Sequence, residues 1–378
     1  MREKVDMRKI CIIHFVDIER YPPAINLLRY LNEHAGNDAV IDVLTIAGEL
    51  PAIASLPGIN IHRLANWKES SSGFSRMLLY LKFNLLAILK LLSIRPDVIL
   101  YFETLSSGPA WFYKTFIRGK TSIYVHYHEY VSKTEYANGM VLSRWLHQKE
   151  KKLYRRTTWV SHTNQDRLSL FLKDLNGSAP PHTYIVPNYP PASWKNRPMT
   201  QKNKLVKLVY IGALSLETMY VREICEFVLQ HRDRCSLDIY SSNVSDDARK
   251  YLVSLPSNII SYHGGVNYDE LPRLLPTFDI GLVLYHGHIP NYVYNIPNKL
   301  FEYHVCGLDV WFPSSMTSAL PYQTINTYPK IIAIDFTKLE SIDLGAITER
   351  CGLHERRNDF SYEDAVKPLA HSLIGKST

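Results

Sequence analysis

The feature that most restricts how this chain can fold is a rhythm: short unbroken apolar runs, each followed by a helix-length segment. Residues 10–16, 40–46, 59–63, 97–102 and 122–127 read as strands, and 10–16 is a continuous apolar run, as in a parallel sheet covered on each side. Between them, segments at about 24–34, 74–94 and 108–117 carry helical spacing. A further strand at 157–163, a helix at about 165–175 and a strand from 183 complete the first half. Strand and helix in alternation predict a right-handed parallel α/β sheet. No Gly-x-Gly-x-x-Gly follows the first strand, so the dinucleotide fingerprint is absent.

The rhythm then restarts. Pro187, Pro190, Pro191 and Pro198, with the polar runs 194–197 and 201–204, form a proline-stiffened connection. Strands follow at 205–212, 237–240, 259–265, 278–285 and 310–312, with helices at about 221–230 and 246–255. A chain of 378 residues exceeds one ordinary core. The expected organisation is one α/β domain over 1–192, a linker over 193–204, a second domain over 205–360, and a closing helix and tail over 361–378.

Charge divides the same way. Residues 1–192 hold 24 Lys and Arg against 16 Asp and Glu, while the remainder holds 19 against 20. The densest basic cluster is Arg144, Lys149, Lys151, Lys152, Arg155 and Arg156 against Glu150. It reads either as a solvated helix face or as a surface drawn to anionic lipid or a phosphate-bearing acceptor. No nucleic-acid motif accompanies it, so nucleic acid is not an expected partner. The longest apolar run, 77–94, is interrupted by Lys82, Asn84 and Lys90. It is expected to be a buried core helix rather than a transmembrane span, with membrane-surface contact as the alternative. The start of the chain has no secretory pattern, and five scattered cysteines without Cys-x-x-Cys spacing point to reduced thiols. A cytoplasmic protein, peripheral on the inner membrane face at most, is expected.

The stretch 296–311, Ile-Pro-Asn-Lys-Leu-Phe-Glu-Tyr-His-Val-Cys-Gly-Leu-Asp-Val-Trp, says most about chemistry. Pro297 can open a helix and Gly307 can end it. Lys299 and Glu302 then lie one turn apart on one face near the helix start. Free N–H groups and a lysine suit an anion there, and a carboxylate can hold a pair of sugar hydroxyls. The alternative is an ordinary exposed ion pair. The pattern Pro-x-Lys-Leu-x-Glu-Tyr-x-x-x-Gly-x-x-Val resembles the donor-site helix of GT-B glycosyltransferases, the large retaining family of bacterial mannosyl- and glucosyltransferases. The strand–Gly at Gly212, the Gly264-Gly265 turn and the Asp279-x-Gly281 strand precede it in that family's order.

The resemblance implies two Rossmann-like parallel-sheet domains facing across a cleft, with the nucleotide-sugar in the second. It places Glu302 on the ribose and Lys299 on the diphosphate, with Gly212, Tyr285, Tyr294 and Asn298 around the donor. In the first domain, His126-Tyr127-His128-Glu129 is similar to the family's pair after a strand, which implies catalytic roles for His128 and Glu129. The alternative for either histidine is a satisfied structural side chain, and a metal pair lacks a third ligand nearby. Asp17, Glu19 and Arg20, in the loop after the first strand, become acceptor-side residues.

Three departures from the family stand out. Ala213 and Thr218 replace an arginine and a lysine that contact diphosphate, Tyr294 replaces a second glutamate, and Asp17-Ile18-Glu19-Arg20 stands where the family often has a glycine-rich loop. More of the anion then falls to Lys299 and backbone N–H groups, with Arg222 as a helper. No Asp-x-Asp occurs, so no obligatory metal and no cofactor beyond the nucleotide-sugar substrate are expected. The expected activity is transfer of a sugar from a nucleotide donor to a glycan or lipid-linked acceptor, with retention, in bacterial surface-polysaccharide assembly. A nucleotide-sugar epimerase and a catalytically silent sugar-nucleotide or membrane-surface binding protein are the alternatives.

Overall fold

The computed structural model describes residues 7–48, 52–53, 55–66, 73–175, 177, 179–196, 205–349, 353–355 and 360–376. Positions 197–204 of the expected linker, and Cys351, lie outside these residues. Contacts divide the chain into two units, Met1–Asn188 with Tyr362–Thr378, and Tyr189–Ser361.

The first unit runs β1 (Arg8–Ile13), α1 (Pro22–His34), β2 (Ala39–Ala47), β3 (Ile59–Asn66), α2 (Gly73–Ile94), β4 (Val98–Phe102) and α3 (Ser107–Phe112). It continues with β5 (Ser122–Tyr127), α4 (Lys133–Asn138), α5 (Val141–Tyr154), β6 (Trp159–His162), α6 (Gln165–Asp174) and β7 (Thr183–Ile185). The seven strands are parallel in the order β3-β2-β1-β4-β5-β6-β7. Strand residues alternate between faces. Ile10, Ile12 and Leu100 join Leu27 and Leu31 of α1, together with Val366, Leu369 and Leu373 from the end of the chain. Ile13, Ile99 and Val125 join Phe83, Ala110, Leu146 and Leu168 from α2, α3, α5 and α6.

The expectation that 77–94 is a buried helix is corrected. Tyr80, Phe83, Ala87 and Leu91 face the sheet, whereas Phe74, Leu78, Leu81, Leu85, Leu89 and Leu92 are exposed. A helix on the outer face of a sheet buries the stripe that meets the sheet and its neighbouring helix, and the opposite stripe stays uncovered.

The second unit runs β8 (Val206–Ile211), α7 (Val221–Gln230), β9 (Cys235–Tyr240), α8 (Asp246–Val253), β10 (Ile260–Tyr262), α9 (Leu271–Leu274), β11 (Ile280–Leu282) and α10 (Pro290–Val293). Then come α11 (Asn298–Val305), β12 (Asp309–Pro313), β13 (Thr327–Tyr328), β14 (Ile331–Ile334), α12 (Leu344–Thr348) and β15 (His354–Glu355). The main sheet is parallel, in the order β10-β9-β8-β11-β12-β14. The last helix, α13 (Tyr362–Ile374), packs with the first unit, where the Tyr362 hydroxyl donates to the Pro23 carbonyl at 2.9 Å.

Each sheet reverses its winding once, at β1/β4 and at β8/β11, and such switch points leave a crevice beyond the carboxyl ends of the strands. α11 sits at the second of these. Pro297, extended at φ −70° and ψ 145°, caps the helix rather than occupying its first turn. At the other end Gly307 takes φ 91°, its N–H donates to His304 and the Leu308 N–H donates to Tyr303, which closes the helix with a Schellman pair.

Tyr303 fixes the height of α11 on the sheet. A Cβ at Gly281 in β11 would come within 2.2 Å of its ring, and its hydroxyl accepts the Ile211 N–H at 3.0 Å. Neither the ring nor the backbone beneath it has room to yield, so Gly281→Ala overpacks the core and is expected to cost about 1–3 kcal/mol. Urea unfolding measures this; an unchanged midpoint would mean that α11 rides more loosely than described.

Candidate functional site

In the second unit, the carboxyl ends of β8 and β11 and the start of α11 bring five of the expected donor residues together. Gly212, just past β8, has φ 141°, and a Cβ there would meet Lys299 Cε and Nζ at 2.5 Å. The bare backbone is what lets the ammonium lie across the strand end. Lys299 Nζ donates to the Tyr285 hydroxyl at 3.1 Å and lies 5.6 Å and 5.3 Å from the ring centres of Tyr210 and Tyr285. Burial works against its charge, but the electron-rich oxygens of Tyr285 and Tyr210, with Glu302, raise its pKa. It is a fixed cation at any physiological pH.

Glu302 follows on the same helix face, 5% exposed, and accepts a hydrogen bond from Asn298 Nδ2 at 2.7 Å. Burial lifts its carboxyl to about 7, against the opposing pull of Asn298 and Lys299. The site therefore couples a permanent cation to a carboxyl poised near neutrality, at the edge where an open α/β sheet takes ligands. Tyr285 stacks on Tyr292 with ring centres 4.6 Å apart.

The remaining second-unit candidates lie as follows. Tyr294 is half-buried at the end of α10, where its N–H donates to the Pro290 carbonyl. Ala213 is exposed and its carbonyl accepts from the Tyr210 hydroxyl. The Thr218 carbonyl accepts the His286 N–H. Arg222 is exposed on α7 with its guanidinium 4.8 Å above the Tyr251 ring centre, so this cation is spent on α8.

In the first unit a second cluster lies at the β1/β4 switch point and the neighbouring end of β5. His128 is buried, stacked on Phe102 at 5.1 Å and edge-on to His126 at 4.6 Å. Desolvation, reinforced by His126 and His14, holds its pKa well below the usual histidine value. Burial likewise lowers His126 to about 3 and His14 to about 4. These are neutral imidazoles that offer hydrogen bonds rather than charge. The Glu129 carboxylate is exposed and makes no hydrogen bond to the His128 ring among the described residues.

A residue that sequence reasoning missed organises this cluster. Glu103, at the end of β4, has φ 60° and ψ 155°, a conformation costly for any residue with a side chain. Its Oε1 accepts the N–H groups of His128 at 2.7 Å and Glu129 at 3.3 Å. Burial, then repulsion from Glu129, raises its carboxyl to about 8. Glu103 is thus a carboxyl lifted into the neutral range, beside imidazoles held below theirs. Its only sequence signal was a carboxylate directly after a buried strand.

The acceptor-side candidates separate. Glu19 is committed to Arg63, which donates from Nη1 at 3.2 Å and Nη2 at 2.5 Å, and to the Ile53 N–H at 3.1 Å. That bidentate pair ties the loop after β1 to β3. Asp17 is buried against Gly48 and takes Arg20 Nε at 3.3 Å. Burial raises its carboxyl despite that partner. Among the described residues no three His, Cys, Asp or Glu side chains converge as metal ligands.

Two parallel sheets, each with one switch point, one ending in a Lys–Glu helix, are the plan of the GT-B fold. Comparison with solved structures places the chain in that fold. The lipopolysaccharide outer core galactosyltransferase WaaB matches at TM-score 0.60 and 12% identity, covering 96% of this chain and 99% of WaaB. HepE of Anabaena, in complex with UDP-glucose, matches at 0.61 and 10%, covering 97% and 95%. A structure described as a UDP-N-acetylglucosamine 2-epimerase from Listeria monocytogenes matches at 0.60 and 10%, covering 98% of each chain. No known family model and no curated protein matches the sequence.

The raised carboxyl of Glu302 has a pH signature. The unfolded glutamate loses its proton near 4.5 and the folded one near 7, so its stabilising contribution is complete below 4.5 and is lost as pH rises to 7. Glu302→Gln should remove that dependence, so that the variant gains on the wild type between pH 5 and 7.5 in urea unfolding. Parallel stability profiles for the two proteins would place the titration elsewhere.

Proposed function

We propose that this protein is a glycosyltransferase that moves a sugar from a nucleoside diphosphate donor to a glycan or lipid-linked acceptor in bacterial surface-polysaccharide assembly. The observation that carries the reading is the convergence of Gly212, Tyr285, Lys299 and Glu302 at the β8/β11 switch point. WaaB and the UDP-glucose complex of HepE, which share the fold, support it.

In this reading the Glu302 carboxylate takes the paired ribose hydroxyls, a charge-assisted contact that favours its ionised form. Lys299, held over Gly212, meets the diphosphate and stabilises the charge that grows on it as the sugar leaves. Because the lysine and N–H groups of α11 supply the positive partners, no obligatory metal is required. In the first unit, neutral His128, with its backbone N–H held by Glu103, is the hydrogen-bonding group that would meet a substrate hydroxyl. The basic cluster from Arg144 to Arg156 faces an anionic membrane surface, on the cytoplasmic side.

Loss of positive partners at Ala213 and Thr218 keeps a silent sugar-nucleotide binding protein in view, and the Listeria structure keeps an epimerase. The three readings diverge in one assay series. Thermal melting against a panel of nucleotide sugars should show one donor raising the transition, and product analysis should then show sugar transfer only with acceptor present. Donor turnover without acceptor marks the epimerase; binding without turnover marks the silent protein; unchanged melting with every nucleotide removes all three. Glu302→Ala is expected to weaken donor binding by about 1.5–3 kcal/mol, the scale of a hydrogen bond to a charged group. Wild-type affinity in that variant would show that a different carboxylate holds the ribose.

A further inference from the structure

The long apolar run that leaves one stripe uncovered invites the question of what covers it. On α2, Phe74, Leu78, Leu81, Leu85, Leu89 and Leu92 recur every three or four residues, each between 39% and 66% exposed. Single exposed leucines are ordinary, but a stripe along a helix of 22 residues marks an interaction surface.

The stripe belongs to a wider layer. Gly108 of α3 is wedged between its neighbours: a Cβ there would meet Asn84 Oδ1 of α2 at 2.4 Å and Leu146 Cδ2 of α5 at 3.3 Å. The three helices therefore lie side by side on one face of the sheet. Phe116 and Ile117, in the π-helical turn after α3, are 62% and 46% exposed. Trp145 of α5 is 47% exposed, packs edge-on against Trp111, and has Lys149 Nζ 5.3 Å from its ring centre.

Charge identifies the occupant. Residues 73–95 and 107–120 contain no Asp or Glu, and Arg76, Lys82, Lys90, Arg95 and Lys120 reach the surface there, while Lys114 is buried on the Gly119 and Thr121 carbonyls and Arg118 pairs with Asp97. The single acid of α5, Glu150, is wholly buried and accepts from the hydroxyls of Tyr101, Tyr127 and Thr104. An apolar stripe edged chiefly by cations, with Asp97 neutralised by Arg118, complements a bilayer with anionic head groups. A second copy of this chain does not suit it, because a two-fold interface would set the same basic edges against each other.

We infer that the α2–α3–α5 layer seats this protein on an anionic bilayer, with the outer stripe of α2 inserted at the level of the head groups and upper acyl chains. α2 is long and apolar enough to span a membrane, yet Phe83, Ala87 and Leu91 are fixed in the core, so it lies in the plane of the interface. This deepens the membrane part of the proposed function by adding apolar insertion to attraction by the basic cluster, and it needs neither the donor site nor transfer activity.

The test is co-sedimentation of the full chain with vesicles of phosphatidylcholine alone and of phosphatidylcholine mixed with phosphatidylglycerol. The protein should pellet with the anionic vesicles and keep a bound fraction at high salt, because inserted apolar surface is not screened. L81Q, L85Q and L89Q combined should lower vesicle partitioning at least about tenfold, with melting and donor-induced stabilisation unchanged. These three side chains face outward, so a loss of fold is not expected, and single variants serve if melting does shift. Binding abolished by salt and indifferent to the leucine variant would overturn the insertion while leaving electrostatic attraction intact. A stable dimer that the same variant dissociates, without vesicle binding, would give the stripe to a second copy and overturn it as well.

Discussion

Much of the second unit depends on the seat of one side chain. Tyr303 lies on Gly281, a position that can hold it only because there is no Cβ, and its hydroxyl takes the N–H of Ile211 at the end of β8. This one contact joins two strands and a helix on either side of the point where the sheet reverses. Lys299 and Glu302 are therefore not placed by α11 alone: the helix sets their spacing, and Tyr303 sets the height at which they meet the strand ends. The lysine then finds Tyr285 and the open backbone of Gly212, and the glutamate stays buried with Asn298 as its local partner. Lys299 remains charged while Glu302 titrates near neutrality, so the site's net charge responds to pH through the carboxyl only.

The first unit solves a different problem. Buried imidazoles at the ends of β1 and β5 stay neutral because desolvation outweighs what their partners return. Glu103 is half-buried and also pushed toward its neutral form, but it binds two backbone N–H groups and so orders the segment that carries His128. Its left-handed backbone is a strain of about 1–3 kcal/mol that an ordinary strand end would avoid, and such strain gathers where function fixes the geometry. The outer surface of the same unit has a separate logic. Its one acid in α5 is consumed by tyrosine and threonine hydroxyls inside, which leaves the outer edge cationic beside exposed leucines.

The sequence by itself determined the alternation of buried strands and helices, hence two parallel sheets, because runs apolar on both faces have few other homes. It also determined the helix after Pro297 and its stop at Gly307, since caps and positive φ are local matters, and it placed Lys299 and Glu302 on one face. Only the tertiary structure decided which polar groups are spent and which are left. Glu19 looked available until Arg63, more than forty residues along the chain, closed on it. Glu129 looked like the partner of His128 until Glu103, from the neighbouring strand, took the backbone between them. Residues 77–94 looked like core until the sheet covered one stripe and left the other bare. Periodicity records that a residue is apolar or charged, whereas burial and pairing depend on segments far apart in sequence, and these meet only when the sheet is assembled.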